Sequence, residues 1–273
     1  MSAHDEARAV LLEAGIDEAE LEALVRAASR RAASLVDLAR ERARGAPLAY
    51  VVGETVFLGI TLLAEPGALA PRAETELLGR TALARLATVE GDPRVVDMCT
   101  GSGNLACAIA VHAPRARVWA ADLTDGCVGL ARKNAHHVGH PDRIHVHQGD
   151  LFGALVGLEL EQTIDVIVCN PPYISAGRLA KDRASLLSHE PREAFDGGPY
   201  GLSIHQRVIR DAVAFLRPGG HLTFEIGQGQ EKQLAALFAR SGAYEDVGFE
   251  VDEEQRPRVI HARRKRHAVA PEG

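Results

Sequence analysis

The feature that most constrains the fold is an alternation of strand-like and helix-like segments that begins near residue 73. Short apolar segments typical of buried strands stand at residues 94–98, 117–121, 144–147, 164–169 and 221–226. Segments with apolar residues at helical spacing lie between most of them, at residues 74–88, 105–112, 128–136 and 204–216. This alternation predicts an α/β fold, in which helices cover both faces of a doubly wound parallel sheet.

Two further strand candidates follow near the end of the chain, at residues 244–250 and 259–263. Because they stand close together, they predict an antiparallel pair at one edge of the sheet. The residues Arg217-Pro218-Gly219-Gly220 predict a turn that ends the preceding helix and leads into the fifth strand.

The residues before the alternation have a different composition. Residues 1–46 are rich in Ala, Leu, Glu and Arg, with leucines at helical spacing. They predict a small helical lobe of two or three short helices, with a break at Gly15 and an N-cap at Ser34. Within residues 47–72, the apolar segments 50–53 and 56–60 predict two short strands, which form a β-hairpin linker.

Composition and charge narrow the class of protein. The chain has 273 residues, 46% of them hydrophobic and 25% charged, which is enough for a sizeable core. Its formal net charge of −6 argues against a general nucleic-acid binder, so we expect no direct nucleic-acid binding. No signal-peptide pattern and no apolar stretch of membrane length stand in the sequence, so we expect a cytoplasmic protein without a membrane partner.

Cysteines and histidines give no pattern typical of a metal site. The four cysteines lack C-x-x-C spacing and lie mostly in apolar or glycine-rich surroundings, which favours buried, reduced thiols. Five histidines stand between residues 136 and 147, but no cysteine or carboxylate completes a ligand set at a recognisable spacing. We therefore expect solvated histidines and no bound metal.

The strongest signal of a nucleotide-like ligand is the segment from Asp97 to Asn104, which ends a strand and opens a helix. Gly101 and Gly103 allow a tight turn and a close backbone approach to a ligand. A third glycine at G-x-G-x-x-G spacing is missing, and Asp97 would repel a phosphate. The segment therefore favours a cofactor with positive charge and amino groups, such as S-adenosylmethionine.

Two more aspartates follow the next predicted strands. Asp122 ends the second strand and could accept hydrogen bonds from both ribose hydroxyls. Asp150 follows the third strand and could accept from the adenine amino group, while Leu151 or Phe152 packs on the ring. Each aspartate alone could instead be a helix cap or a turn residue, but three acidic strand ends in order favour a cofactor site. Two neighbours complete the predicted cofactor contacts, Thr100 and Leu123.

The most specific feature is Asn170-Pro171-Pro172-Tyr173, which directly follows the fourth predicted strand. The two prolines fix the backbone and remove two N–H donors, so carbonyl groups face the site without competing donors. With the Asn170 side-chain carbonyl they form a pair of acceptors suited to the two hydrogens of an –NH2 group. Tyr173 offers a flat face for a planar amide or base. The alternative is an ordinary turn that ends a strand.

These segments resemble the protein-glutamine methyltransferases that modify the Gly-Gly-Gln loop of class I peptide-chain release factors. The resemblance covers about residues 42–262. Besides 97–103 and 170–173, it rests on a linker-like segment with Arg42, Gly45, Pro47, Tyr50, Gly53, Phe57 and Gly59, and on the segments 71–76, 189–192, 196–198, 201–202 and 225–230.

The resemblance implies a seven-stranded class I methyltransferase sheet that binds S-adenosylmethionine through Asp97, Gly101, Asp122 and Asp150. It implies that Asn170, which we also place beside the cofactor, and the Pro171 carbonyl hold a glutamine amide, with Tyr173 nearby. The residues expected on the acceptor side are Arg72, Glu74, Pro172, Tyr173 and Glu190. The implied domains are a helical lobe (1–46), the linker (47–72), an S-adenosylmethionine-dependent methyltransferase domain (73–265) and a tail (266–273).

The sequence also departs from the family, which leaves the methyl acceptor open. The helical lobe is shorter than is usual, and Ala73 and Asn104 replace residues common in the family. One hypothesis is a glutamine methyltransferase that acts on a release factor. The alternative is a methyltransferase of the same fold that acts on a small-molecule amide, amine, guanidine or carboxylate. A cofactor-binding protein without turnover and a DNA adenine methyltransferase, which can share Asn-Pro-Pro-Tyr, are less well supported.

Overall fold

The computed structural model describes residues 2–173 and 201–266. A helical lobe opens the chain, with an apolar cluster of its own that includes Leu11, Leu24 and Val51. Its elements are α1 (Ala3–Glu13), a 3-10 helix (Glu18–Glu20), α2 (Leu21–Arg31), α3 (Leu35–Ala43) and α4 (Leu48–Val52).

Two predicted boundaries in the lobe are confirmed. Helix α1 ends just before Gly15, which has a φ of +69°. At the start of α3 the Ser34 hydroxyl accepts a hydrogen bond from the Asp37 backbone N–H at 3.3 Å, as expected of an N-cap.

The predicted strand at residues 50–53 is wrong, because residues 48–52 form helix α4 instead. Tyr50, Val51 and Val52 are all buried, so successive side chains pack on different sides of the segment. The Tyr50 hydroxyl donates to the Ala68 carbonyl at 2.6 Å, and Gly53 ends the helix. Burial on several sides thus outweighs the strand propensity of a β-branched pair.

The linker does contain a β-hairpin, formed by β1 (Glu54–Phe57) and β2 (Ile60–Leu63). The predicted strand at 56–60 is therefore wrong in its bounds, because Leu58 and Gly59 form the turn. The hairpin is fastened to the main domain by the buried Asn134 side chain, which accepts from the Leu63 N–H at 2.7 Å and donates to the Leu63 carbonyl at 3.1 Å. The same amide group donates to the Ser102 carbonyl at 2.9 Å, so it ties the linker to the loop after β3.

The main domain has the predicted alternation of helices and strands. Its elements are α5 (Thr75–Leu86), β3 (Arg94–Met98), α6 (Asn104–His112), β4 (Arg117–Asp122), α7 (Asp125–His137), β5 (Ile144–Gln148), a 3-10 helix (Leu151–Leu155), β6 (Ile164–Cys169), α8 (Ser203–Phe215), β7 (Leu216–Glu225), α9 (Glu231–Ser241), β8 (Tyr244–Val251) and β9 (Pro257–Arg264).

The strands form a seven-stranded sheet in the order β5-β4-β3-β6-β7-β9-β8. The first five strands in this order are parallel, while β9 runs antiparallel to both β7 and β8. Alternate side chains enter two separate apolar clusters on the two faces: Val95 packs in one cluster and Val96 in the other. The predicted α/β sheet and its antiparallel edge pair are confirmed.

Strand β7 differs from the prediction at its start. The residues Arg217-Pro218-Gly219-Gly220 are a bulge within the strand rather than a turn before it. Strand pairing jumps from Ile164 opposite Leu216 to Val166 opposite His221, so the four intervening residues of β7 bulge beside one residue of β6. Pro218 lacks the N–H that a regular ladder requires, which accounts for the interruption.

The linker crosses helix α7 at a contact that only glycine permits. A Cβ on Gly126 would lie 2.9 Å from the Gly67 carbonyl oxygen, which is backbone and has little freedom to move. Around Gly129, in the same helix, a Cβ would meet no atom within 4 Å.

We expect Gly126→Ala to lower the free energy of unfolding by about 1–3 kcal/mol, because the added methyl forces the linker away from α7. Gly129→Ala is the matched control and should leave stability unchanged or raise it by up to about 1 kcal/mol, since alanine is the better helix former. Urea unfolding followed by circular dichroism measures both. Equal effects of the two substitutions would contradict the contact.

The chain order places a crevice at one end of the sheet. From β3 the chain builds outward through β4 and β5, and then returns to β6 on the other side of β3. In open sheets of this kind, ligands bind beyond the carboxyl ends of the strands at such a reversal.

Across residues 2–173 and 201–266, no helix is both long enough and apolar enough to cross a membrane.

Candidate active site

A cleft lies at this reversal, at the carboxyl ends of β3, β4, β5 and β6. Most of the residues predicted from the sequence line it together. These are Arg72, Thr100, Gly101, Asp122, Leu123, Asp150, Leu151, Asn170 and Pro172. Four predicted residues, Asp97, Gly103, Pro171 and Tyr173, lie next to the cleft wall rather than in it, and Glu74 immediately precedes α5.

Left-handed backbone at three positions shapes the loop between β3 and α6. Cys99, Gly101 and Gly103 have φ values of +58°, +57° and +79°. At Gly103 a Cβ would also lie 3.0 Å from the Ala131 Cα, so packing against α7 requires glycine as well. At Gly101 the space around a Cβ is open, which leaves this backbone accessible from the cleft.

Asp97 holds the loop between β3 and α6 from within the protein core. It is fully buried, and its Oδ2 accepts from the Thr100 hydroxyl at 2.5 Å and from the Ala106 N–H at 3.0 Å. Burial raises the pKa of Asp97 to about 7, although both hydrogen bonds oppose this. Its Oδ1 is buried without a hydrogen-bond partner among the described residues. Asp97 therefore fixes the loop that carries Gly101, and one of its oxygens is available for a donor.

Asp122 reaches the cleft from the end of β4. Its Oδ2 accepts from the Gly101 N–H at 2.9 Å, and its Oδ1 accepts from the Thr124 N–H at 3.2 Å. Each carboxylate oxygen has a second lone pair for a ligand. The neighbouring Leu123 side chain is 57% exposed at the cleft, although large apolar residues are usually buried. This pair offers acceptors and an apolar surface side by side.

Asp150 follows β5 and is held by a residue that the sequence did not indicate. Its Oδ2 forms an ion pair with Arg207 of α8 at 2.8 Å. The hydrogen bond and charge of Asp150 raise the pKa of Arg207 above its ordinary value. The two residues are far apart in sequence and carry no shared motif. The packing of α8 against the 3-10 helix that follows β5 brings them together.

The Asn-Pro-Pro-Tyr segment follows β6 directly. Asn170 and Pro172 line the cleft, whereas Tyr173 turns toward the end of β7. There the Tyr173 hydroxyl donates to Glu225 Oε1 at 3.1 Å, and burial beside this carboxylate raises the pKa of Tyr173. The Asn170 amide nitrogen donates to the Thr75 hydroxyl at 3.1 Å. The segment is thus tied to α5 through one side chain and to β7 through another.

A second set of contacts fixes the backbone of this segment. The Gln230 side chain donates to the carbonyls of Tyr173 and Gly201, at 3.2 and 3.1 Å, and accepts from the Gly227 N–H at 2.9 Å. One side chain therefore joins the end of the Asn-Pro-Pro-Tyr segment, the end of β7 and the approach to α8.

Several predicted features lie outside the described residues. They are Glu190, the segments 189–192 and 196–198, and residues 267–273 of the tail. Within the described part of the chain, no group of three or more His, Cys, Asp and Glu side chains is arranged to hold a metal ion. The four cysteines are free thiols, and Cys99 and Cys127 line the cleft.

The sheet order and the position of the cleft define a methyltransferase fold of class I. A family model described as methyltransferase small domain matches residues 75–251. The crystal structure of a methyltransferase from Pyrococcus furiosus shares the fold, with a TM-score of 0.53 and 15% sequence identity. It covers 76% of this chain and 90% of that one. The chain is therefore a methyltransferase, as the sequence predicted.

Curated relatives identify the family within this class. A release factor glutamine methyltransferase from Moorella thermoacetica is 38% identical over 82% of this chain and 77% of that protein. The chain belongs to the release factor glutamine methyltransferase family, which confirms the predicted resemblance. A 4-amino-L-phenylalanine/4-methylamino-L-phenylalanine methyltransferase from Streptomyces pristinaespiralis is also similar, with 36% identity over 75% of this chain and 69% of that protein.

Proposed function

We propose that this enzyme transfers the methyl group of S-adenosylmethionine to the side-chain amide nitrogen of a glutamine in the Gly-Gly-Gln loop of a peptide-chain release factor. The observation that carries the proposal is the Asn170 side chain at the end of β6. It lines the cleft, and its amide nitrogen donates a hydrogen bond to Thr75. Its carbonyl oxygen is therefore left to accept a hydrogen bond from the –NH2 group that is to be methylated. The name of the Moorella thermoacetica relative supports glutamine as the acceptor.

The residues of the cleft fit S-adenosylmethionine. Asp122 has lone pairs available for the ribose hydroxyls, and Leu123 with Leu151 offers apolar surface to the adenine ring. Asp150 uses Oδ2 for Arg207 and keeps Oδ1 for the adenine amino group. We assign Thr100, Gly101 and Gly103 to the loop that faces the cofactor, which is supported from below by the buried Asp97.

The bound cofactor supplies a methyl group on a positively charged sulfur. An amide nitrogen is a weak nucleophile because its lone pair is delocalised, so the protein has to position it and polarise its hydrogens. In our proposal the Asn170 Oδ1 and the Pro171 carbonyl oxygen each accept a hydrogen bond from one N–H of the glutamine side-chain amide. These interactions strengthen as positive charge develops on the nitrogen, and therefore favour the transition state over the ground state.

Residues on the acceptor side complete the proposal. Arg72 and Pro172 line the same cleft, and we assign them to the contact with the methyl acceptor. We retain Tyr173 as a predicted acceptor contact, held beside the cleft wall by the hydrogen bond of its hydroxyl to Glu225. We retain Glu74 and Glu190 as predicted acceptor contacts. After methyl transfer the amide nitrogen is positively charged and strongly acidic, so it releases one of its two hydrogens to water as a proton, and a strong general base is not needed.

A second candidate function is methylation of a small aryl amine. The similarity to the Streptomyces pristinaespiralis enzyme favours it, because the name of that relative places a free amino acid as its substrate. An aryl –NH2 group presents the same two hydrogens and a delocalised lone pair. The pair of acceptors at Asn170 and Pro171 suits both substrates, and the test has to compare them directly.

We expect transfer of tritium from methyl-labelled S-adenosylmethionine to a purified class I release factor, and none to 4-amino-L-phenylalanine. A release factor whose Gly-Gly-Gln glutamine is replaced by glutamate is the matched control and should accept no label, because it lacks the amide. Label on the amino acid but not on the release factor would establish the second candidate instead. Label on the glutamate variant would place the acceptor elsewhere on the release factor.

A further inference from the structure

A chain of buried polar groups runs from Asn170 into the end of β7. Asn170 Nδ2 lies 3.1 Å from the Thr75 hydroxyl, and this hydroxyl lies 2.7 Å from Glu225 Oε2. The other oxygen of Glu225 accepts from the Tyr173 hydroxyl at 3.1 Å and lies 3.6 Å from a guanidinium nitrogen of Arg258. Thr75 and Glu225 are each 2% exposed, and Thr75 also lines the cleft.

With Glu225 ionised, the chemistry of these groups fixes the direction of each hydrogen bond in the chain. An ionised carboxylate only accepts, so both the Thr75 and the Tyr173 hydroxyl donate to Glu225. The Thr75 hydroxyl has a single hydrogen, which it gives to Glu225, and toward Asn170 it can therefore only accept. Asn170 must then turn its –NH2 end to Thr75. Its carbonyl oxygen Oδ1 is left to accept a hydrogen bond from the methyl acceptor.

This direction matters because the two ends of an asparagine amide have nearly the same shape but opposite hydrogen-bonding character. A flipped Asn170 would present hydrogens to the hydrogens of an incoming –NH2 group. Burial raises the pKa of the Glu225 carboxyl, whereas the hydrogen bonds from Thr75 and Tyr173 and the charge of Arg258 act in the opposite direction and favour the ionised form.

We propose that Thr75 and Glu225 are positioning residues, which set the orientation of the Asn170 amide. This orientation selects a methyl acceptor whose –NH2 group donates hydrogen bonds over one that presents a carboxylate. The proposal rests on the role of Asn170 proposed above. It assigns a function to two residues that are 150 positions apart in the sequence and meet only in the folded protein.

The decisive comparison is between Thr75→Val and Thr75→Ser. Valine has nearly the size of threonine but lacks the hydroxyl, whereas serine keeps it. We expect Thr75→Val to lower kcat for methylation of the release factor by roughly 10- to 100-fold, because the Asn170 amide is no longer held in the orientation that stabilises the transition state. Thr75→Ser should retain kcat within about fivefold, and both variants should keep the Kd for S-adenosylmethionine within about twofold of the original value.

Thr81→Val is the matched control for the loss of a buried threonine hydroxyl in the same helix. The Thr81 hydroxyl donates to the Leu77 carbonyl at 2.8 Å, away from the cleft. Its kcat should be unchanged at a temperature where all variants are folded, which melting curves establish. A Thr75→Val enzyme with unchanged kcat, or equal losses of kcat in the Val and Ser variants, would overturn the positioning role.

A measurement without any acceptor separates this proposal from the proposed function. The side-chain amide signal of Asn170, assigned by its loss in Asn170→Ala, is observed by nitrogen-15 NMR. Its hydrogens should exchange with solvent at least about tenfold faster in Thr75→Val than in Thr75→Ser, because the hydroxyl partner is missing. If no acceptor is methylated but this difference holds, the proposed function fails and the orientation of Asn170 stands. Equal exchange in both variants would overturn the orientation itself.

Discussion

Replacing Asn170 by alanine is expected to lower kcat by roughly 100- to 1,000-fold, which is the usual effect of removing one preorganised group that stabilises a transition state. The side chain lines the cleft and its nitrogen is held by Thr75, so in the proposed function its carbonyl oxygen faces the methyl acceptor. The Kd for S-adenosylmethionine should change by no more than about twofold, since the charged and apolar contacts that we propose for the cofactor come from the ends of β3, β4 and β5. Steady-state kinetics with calorimetric titration of the cofactor give both quantities.

The contrast between kcat and Kd is what distinguishes the proposed role of Asn170 from a structural one. Loss of cofactor binding in parallel with loss of kcat would show that Asn170 supports the cleft rather than the acceptor. An unchanged melting temperature of Asn170→Ala would exclude unfolding as the cause of low activity.

Replacing Asp122 by alanine is expected to have the opposite effect. The Kd for S-adenosylmethionine should rise by roughly 100-fold, because two hydrogen bonds from ribose hydroxyls to a charged group are lost. The substitution also removes the acceptor for the N–H groups of Gly101 and Thr124, which loosens the loop that faces the cofactor. At saturating cofactor, kcat should recover most of its value.

Asp125→Ala is the matched control for this prediction. Asp125 begins helix α7 three residues after Asp122, is exposed, and does not line the cleft. Its loss should change the Kd by less than about twofold, because a single exposed charge contributes little. A Kd for Asp122→Ala close to that of Asp125→Ala would rule out the proposed ribose contact.

The sheet was predictable from the sequence because its parallel strands are buried on both faces and therefore consist mostly of apolar residues. Residues 94–98 and 164–169 are examples, and the strands there have the predicted bounds. The short helix at Leu48–Val52 was not predictable in the same way. Its β-branched residues favour a strand, and only their burial between the lobe and the linker decides for a helix.

The cleft was predictable to the extent that its residues follow strands in the sequence. Asp122, Asp150 and Asn170 each stand at or just after the end of a strand, and parallel strands bring such positions to one edge of the sheet. Partners from elsewhere in the chain carried no such signal. Thr75 and Glu225 lie in segments that resemble the family, but their contact depends on how α5 packs beside β7. The ion pair of Arg207 with Asp150 likewise depends on the packing of α8.

Tandem mass spectrometry of a class I release factor, after incubation with this enzyme and S-adenosylmethionine, tests the central claim most directly. We predict one added methyl group on the side-chain nitrogen of the Gly-Gly-Gln glutamine, and none when Asn170→Ala replaces the enzyme. A methyl group on any other atom of the release factor would contradict the proposed function. So would an unmodified release factor in the presence of an enzyme that binds the cofactor.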